Sequence, residues 1–378
     1  MNVELTSEEE ALRSTTARFL DDRMPIAAVR DLRDDPAGFS TTYWAQGAEL
    51  GWMSLLVPED LGGGTVSDNA VADLALIAHE FGTHAAPGPL VPCNVVVSAL
   101  AGAGDAHAEA LEALMSGAST AAWCYSEPPP NDALGHIDLE IRVDGDDVVI
   151  TGTKRPVENG AAADLLLVTG RTGAGLSQVL LAASTPGVTV KPLSSADLSR
   201  RYATVHFDDV RVPVTAAVGG VGEAAAEVER QLQLAIVVSN AEAVGALQQA
   251  FDMTASWVND RYSFGRPLST YQEIKHRLAD LFTWLQASHA INDVAITAVG
   301  SGSPDAAELT SAAKAYISEY GGELVQDCVQ LHGGIGVTFE HDLHLFVRRV
   351  TVNRACYGTF AEHRRRVGQI TEMRKDRA

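Results

Sequence analysis

Basic side chains are scarce in this 378-residue chain: 28 lysines and arginines stand against 49 aspartates and glutamates, a formal charge of −21. An acidic excess of that size repels phosphate backbones and anionic lipid headgroups, which argues against nucleic acid or a membrane surface as the principal partner. Long apolar runs are missing too, and nothing approaches the ~18 residues of a spanning helix, so no membrane insertion is expected. The first ten residues carry Glu4 and three successive glutamates without a basic stretch, unlike a signal peptide, and a cytoplasmic location is expected. Cysteine is sparse. Cys93, Cys124, Cys328 and Cys356 form no close pair, which excludes a disulfide framework or a zinc ribbon and leaves core thiols. Glycine and proline, at 33 and 15 residues, are too few for a collagen-like or low-complexity chain. What is present is 46% hydrophobic residues, enough for two or three domains with real cores.

The periodicity divides the chain into residues 1–120, 121–218 and 219–378. In the first stretch Ser7 and Glu10 have capping-box spacing, and Ala11, Leu12, Thr15, Phe19 and Leu20 follow at helical intervals. Further helical patterns run over Trp44 to Gly51, Val71 to Phe81 and within Pro87 to Ser116. From about 121 the period becomes two: Leu139 to Val143 and Val148 to Thr151 flank an Asp144-Gly145 turn, and strands are expected near 165–168, 179–182, 188–190 and 203–207. No helical stretch separates these strands, so a parallel Rossmann sheet is not indicated. The last stretch is helical, with an apolar stripe through Leu232, Ala235, Ile236, Ser239, Ala243, Ala246, Leu247, Ala250 and Phe251. Ser303-Pro304-Asp305 is expected to start a later helix, which runs to about Leu331, and at least one more follows His341.

Five motifs in this order resemble those of the acyl-CoA dehydrogenases. They are Leu50-Gly51-Trp52 with Val57-Pro58-Glu59-Asp60-Leu61-Gly62-Gly63; Ser126-Glu127-Pro128; Val205-His-Phe-Asp-Asp-Val-Arg-Val-Pro213; Arg261-Tyr-Ser-Phe-Gly-Arg-Pro267 with Tyr271-Gln272 and His276; and Gln330-Leu-His-Gly-Gly-Ile-Gly336 with Glu340, His344, Arg348 and Arg349. The resemblance implies an N-terminal helical domain, a middle β-sandwich or barrel domain and a C-terminal four-helix bundle, assembled as a dimer or tetramer. It implies FAD as cofactor and an acyl-CoA thioester as substrate for α,β-dehydrogenation. It also implies that Arg261, Phe264, Gln272, Gln330, Gly333 and Gly334 reach the flavin of a neighbouring chain, while Thr359 and Ser126 serve the flavin of their own. The chemistry suits these types: a pyrophosphate wants a cation and backbone donors.

Three features depart from the family pattern. The reaction needs a general base to take the acyl α-proton. By resemblance that base comes from a position matched here by Tyr357, whose phenol is a poor base at pH 7, or from one 26 residues before Arg261, which is Ala235. Glu242, seven residues on and about 10.5 Å along the same helix face, is the candidate for a relocated base; pairing with a bundle arginine is its structural alternative. The third departure is Gly152-Thr-Lys154-Arg-Pro156-Val-Glu158-Asn159-Gly160, where Pro156 replaces an aromatic flavin wall and Glu158 adds a negative charge. The chain therefore resembles one subunit of a heteromeric enzyme acting on bulky, steroid-derived acyl-CoAs, completed by a paralogous partner. A self-sufficient enzyme using Glu242 and a flavin-free scaffold are the alternatives. His341 and His344 with Glu340 could converge on a metal, but no further ligand accompanies them and no metal is expected. His332 is expected to be a core histidine, and the run His363 to Arg366 to complement the dipole of the last helix or pair with the acidic surface, with a CoA-phosphate contact as the lesser reading.

Overall fold

The computed structural model describes residues 5–375. Six helices come first: α1 (Ser7–Arg23), α2 (Ile26–Asp31), α3 (Thr41–Glu49), α4 (Ala70–Thr83), α5 (Leu90–Ala101) and α6 (Ala108–Met115). Seven strands follow: β1 (Ala121–Cys124), β2 (Glu140–Asp144), β3 (Asp147–Glu158), β4 (Leu165–Thr172), β5 (Gly175–Ala182), β6 (Val188–Leu193) and β7 (Tyr202–Pro213). The long helix α7 (Ala225–Asp260) leads into a small hairpin, β8 (Tyr262–Ser263) and β9 (Arg266–Pro267). Helices α8 (Gln272–Gly300), α9 (Ala306–His332), α10 (Leu343–Asn353) and α11 (Phe360–Lys375) complete the order.

Several ends differ from the sequence expectation by a residue or more, for local reasons. The capping box of α1 uses Thr6 and Glu9 rather than Ser7 and Glu10: the Thr6 hydroxyl accepts from the Glu9 amide at 3.2 Å and the Glu9 carboxylate accepts from the Thr6 amide at 2.8 Å. Both hydroxyls were available, and the glutamate run lets either register close. The β2–β3 turn pairs Asp144 with Asp147, so its two central residues are Gly145 and Asp146. Helix α9 starts at Ala306 after Asp305, whose side chain makes no cap, while Ser303 Oγ accepts from the Asp305 amide at 3.2 Å. All four residues of strand β1 are buried, so it carries no period-two alternation.

The chain packs as two compact units. One holds residues 30–70 and 87–235. Its seven-stranded mixed sheet has the order β1-β4-β2-β3-β7-β6, with β5 paired on β4, and curls around a core that includes Ile141, Val148, Ile150, Leu166, Val168, Val205 and Phe207. β4 runs parallel to β1 and β2, and the remaining pairs are antiparallel. The β3–β7 register shifts between Lys154 and Val157, which is where a strand tolerates Pro156, a residue with no ladder donor.

The other unit gathers the residues up to Val29, Val71–Ala86 and everything from Ile236 on. Its centre is α7, buried nearly all round over residues 234–247, so that the expected stripe lies inside a helix that is surrounded rather than amphipathic. α4 crosses it at two glycines. A Cβ on Gly82 would lie 2.0 Å from the Glu242 carbonyl oxygen, and one on Gly245 would lie 2.1 Å from that of His79. We expect Gly82→Ala and Gly245→Ala each to destabilise the unit by about 1–3 kcal/mol through overpacking. Urea midpoints read this directly, and an unchanged midpoint in both variants would mean that the crossing is looser than described.

Candidate functional site

The end of α7 and the end of α9 meet at a groove of about 600 Å³, lined among others by Trp257, Arg261, Ser263, Gln330, Gly333, Gly334 and Ile335. Four residues expected to serve a flavin, Arg261, Gln330, Gly333 and Gly334, are thus brought together. Arg261 is exposed, with its guanidinium 5.9 Å from the Trp257 ring centroid, and among the described residues no carboxylate pairs with it. Gly333 has φ +66°, ending α9, and a Cβ on Gly333 or Gly334 would meet nothing within 4 Å, so the backbone there is open to the groove. An available cation beside open backbone and an amide side chain fits a phosphate and its ribose. These residues accordingly fit the pyrophosphate arm of FAD.

The floor is an aromatic stack. Trp257 lies on His332 with centroids 5.3 Å apart at 16°, and His341 meets the His332 ring at 4.6 Å. His332 Nδ1 donates to the Cys328 carbonyl at 2.8 Å, and burial holds its pKa below the ordinary histidine value, so the ring is neutral at pH 7. His344 packs against Phe339 with centroids 4.8 Å apart. Among the described residues no three His, Cys, Asp or Glu side chains could hold a metal.

Beside the groove the β8–β9 hairpin projects. Its two-residue turn, Phe264-Gly265, has φ +49° and +80°, and the Phe264 side chain is 97% exposed. A phenylalanine in the left-handed region costs of order 1–3 kcal/mol, strain that local folding alone does not select. Gln272 begins α8 outside the groove lining, 3.4 Å from His276 Nε2.

Neither base position holds a carboxylate. Ala235 is fully buried on α7. Tyr357 sits half-buried at φ +58°, and its carbonyl accepts from His363 Nε2 at 2.9 Å. Glu242 is 2% exposed and bound to Arg349, Nη1 to Oε1 2.5 Å, while Asn353 Nδ2 reaches Oε2 at 3.4 Å. The other Arg349 nitrogen donates to the carbonyls of Ala85 and Ala86 at 3.1 and 3.0 Å. Of the two readings of Glu242 the geometry is that of the paired one, its Oε1 held by the buried Arg349 guanidinium. Thr359 closes the N-terminus of α11, its amide and hydroxyl both donating to Glu362 at 2.8 and 2.7 Å, and it does not line the groove. Arg364, in the basic run, pairs with Glu319.

In the sheet unit, Lys154 is fully buried and donates to Glu127 at 2.8 Å and to the Tyr125 carbonyl at 2.9 Å. Glu127 in turn accepts from the amides of Asp138 and Leu139 at 2.9 and 2.8 Å. Glu127 carries the segment that follows Ser126, whose carbonyl accepts from the Arg155 amide at 2.8 Å. Pro156 is exposed and offers no ring. Glu158 is not an uncompensated charge, because Arg200, 4% exposed, pairs with it. Sequence reasoning missed Arg200, the pairing of Glu127 with Lys154 and the identity of the arginine that meets Glu242; the adjacent Arg200-Arg201 was the one available signal for the first.

The comparisons with known proteins concern the family and the fold. Residues 6–118 match the model of the acyl-CoA dehydrogenase N-terminal domain and residues 215–371 that of the acyl-CoA dehydrogenase C-terminal domain. The chain belongs to the acyl-CoA dehydrogenase family, FAD-dependent oxidoreductases acting on CH–CH bonds. It is 27% identical over 366 residues to the acyl-CoA dehydrogenase IpdE2 of Mycolicibacterium smegmatis, covering 96% of this chain and 98% of that one. A solved steroid ACAD variant, Tcur3481–Tcur3483, superposes with a TM-score of 0.88 at 25% identity, covering 98% and 99% of the two chains. The ChsE4–ChsE5 complex from Mycobacterium tuberculosis shares the fold, with a TM-score of 0.87 at 23% identity and 98% of each chain covered. No helix among the described residues is long and apolar enough to cross a membrane.

Proposed function

We propose that this chain is the non-catalytic subunit of a heteromeric acyl-CoA dehydrogenase, which completes a flavin site on a paralogous partner that supplies the base and the ring pocket. The observation that supports this reading is a groove lined by Arg261, Gln330, Gly333 and Gly334 in a chain whose base positions are filled by Ala235 and Tyr357. FAD supplies the hydride acceptor in such a site. This chain's part is to bind and orient: Arg261 neutralises phosphate, the Gly333-Gly334 backbone approaches it closely, Gln330 contacts the nucleoside side, and Phe264 closes over the neighbour. Pro156 and the Glu158–Arg200 pair leave its own sheet without an aromatic wall for a flavin ring. Two-chain names among the structural relatives, ChsE4–ChsE5 and the steroid ACAD Tcur3481–Tcur3483, support a two-gene assembly and a bulky acyl-CoA substrate.

The test is the flavin-to-polypeptide ratio. The chain purified alone should carry far less than one FAD, and co-expression with the paralogue that completes it should restore a fixed stoichiometry. In that assembly Arg261→Ala should weaken flavin retention about 10- to 100-fold, the worth of one charge-assisted phosphate contact. One FAD per chain in the isolated protein, or unchanged retention in Arg261→Ala, would overturn the assignment.

A further inference from the structure

The turn at the tip of the β8–β9 hairpin contradicts its own sequence. Both central residues have positive φ, a two-residue turn that favours Asn-Gly, yet the first is Phe264, pointing almost wholly into solvent. Local preference does not hold such a turn closed, so something outside it does. Two side chains are in place to do so. The Tyr271 hydroxyl donates to the Ser263 carbonyl at 2.8 Å, on the residue that enters the turn, and the Arg266 guanidinium lies 3.9 Å from the centroid of the Tyr271 ring. The Leu268 amide donates to the Arg261 carbonyl at 2.8 Å, closing the base of the same loop beside the groove cation.

We propose that Tyr271 and Arg266 are positioning residues, which lock the hairpin so that Phe264 and Arg261 meet the neighbouring chain and its flavin in one prearranged geometry. The inference rests on the function proposed above. Its physical advantage is preorganisation: an arm already ordered loses less conformational freedom on docking than a loose one. Tyr271 is half-buried on the entry to α8, so its ring is fixed by the helix while its hydroxyl serves the hairpin. A phenylalanine there would keep the ring and the cation stack but release the turn.

Hydrogen exchange on the flavin-bearing assembly as purified, read by mass spectrometry, tests the lock. Tyr271→Phe should speed exchange of the 263–268 amides about three- to tenfold, the worth of one internal hydrogen bond. Flavin release should quicken by a similar factor, while the thermal midpoint of the chain stays put. Arg266→Gln should act in the same direction. Unchanged hairpin exchange in both variants overturns the proposal, as does a loosened hairpin with flavin release unaltered. Phe264→Asn separates the two levels of argument: it suits the turn and keeps the hairpin closed but removes the ring. If Phe264→Asn and Arg261→Ala both leave flavin retention unchanged, the groove reading itself fails.

Discussion

Arg349→Met should lower the unfolding free energy by about 3–5 kcal/mol, the usual consequence of stranding one member of a buried ion pair. Both side chains are out of water, Arg349 at 0% and Glu242 at 2% exposure, so the bridge was assembled against a large desolvation cost. Removing the arginine leaves a buried carboxylate and two backbone carbonyls, Ala85 and Ala86, without their donor. Glu242→Gln should be milder in volume but comparable in sign, because a guanidinium is then left facing a neutral amide. The double variant Glu242→Leu with Arg349→Met should recover much of the loss. A double-mutant cycle in urea measures the coupling. Turnover per folded assembly should be unchanged by Glu242→Gln; a fall of about 10²–10⁴ would identify Glu242 as the base after all.

Lowering the pH from 7.5 to 5.0 should cost a further ~4 kcal/mol of stability, about 2 kcal/mol from each of two buried histidines. Burial first, and then the nearby His79, depresses His289 to about 3. Burial likewise takes His363 to about 4, with the Lys314 and Arg366 charges adding to it and the Tyr357 carbonyl opposing. Both folded values lie below the ordinary 6.5. Between 6.5 and those values the unfolded chain binds protons that the folded chain refuses, so the stability present above pH 6.5 is lost as the pH falls. Glu80, held below its ordinary range although burial opposes it, by hydrogen bonds from His79 and Thr83 and the charges of His79 and His84, adds a further loss of stability once the pH falls below about 4.5. Urea unfolding at the two pH values checks this, and His289→Asn should remove about half of the difference. A flat profile would mean that these rings are wetter than their packing indicates. Lys314 gives the opposite limb: burial lowers it to about 8, so stability should rise as pH climbs from 8 towards 10.5.

The groove was legible in the sequence because its parts are short runs. Arg261 and the Gln330 to Gly334 loop each sit at the end of a helix whose length the apolar pattern marks, and family resemblance supplied the rest. The helices and most strands were legible for the same reason. The ion pairs were not. Glu242 and Arg349 are 107 residues apart, and Glu158 and Arg200 are 42 apart, and nothing local says which of several arginines a carboxylate meets. Tyr271 was invisible as a tether, since its value lies in one hydroxyl reaching back eight residues across a turn. Thr359 is a different case: its motif suggested a ligand contact, and what the sequence did not show is that its amide and hydroxyl also cap α11 through Glu362.

The bond from Arg349 to Ala86 joins residues 263 positions apart, inside a unit whose chain leaves after Ala86 and returns at Ile236. During synthesis at roughly 5–20 residues per second, α4 must therefore wait on the order of a quarter of a minute to a minute for its arginine. Until α7 follows, its apolar face is unclaimed, and for the whole interval Ala85 and Ala86 lack the Arg349 donor, while strands β1 to β7, encoded between them, can already pair. The vulnerable species on the ribosome is thus a finished sheet carrying an orphan helix. Slowing synthesis of the last third of the chain should raise its dependence on chaperones far more than slowing the first.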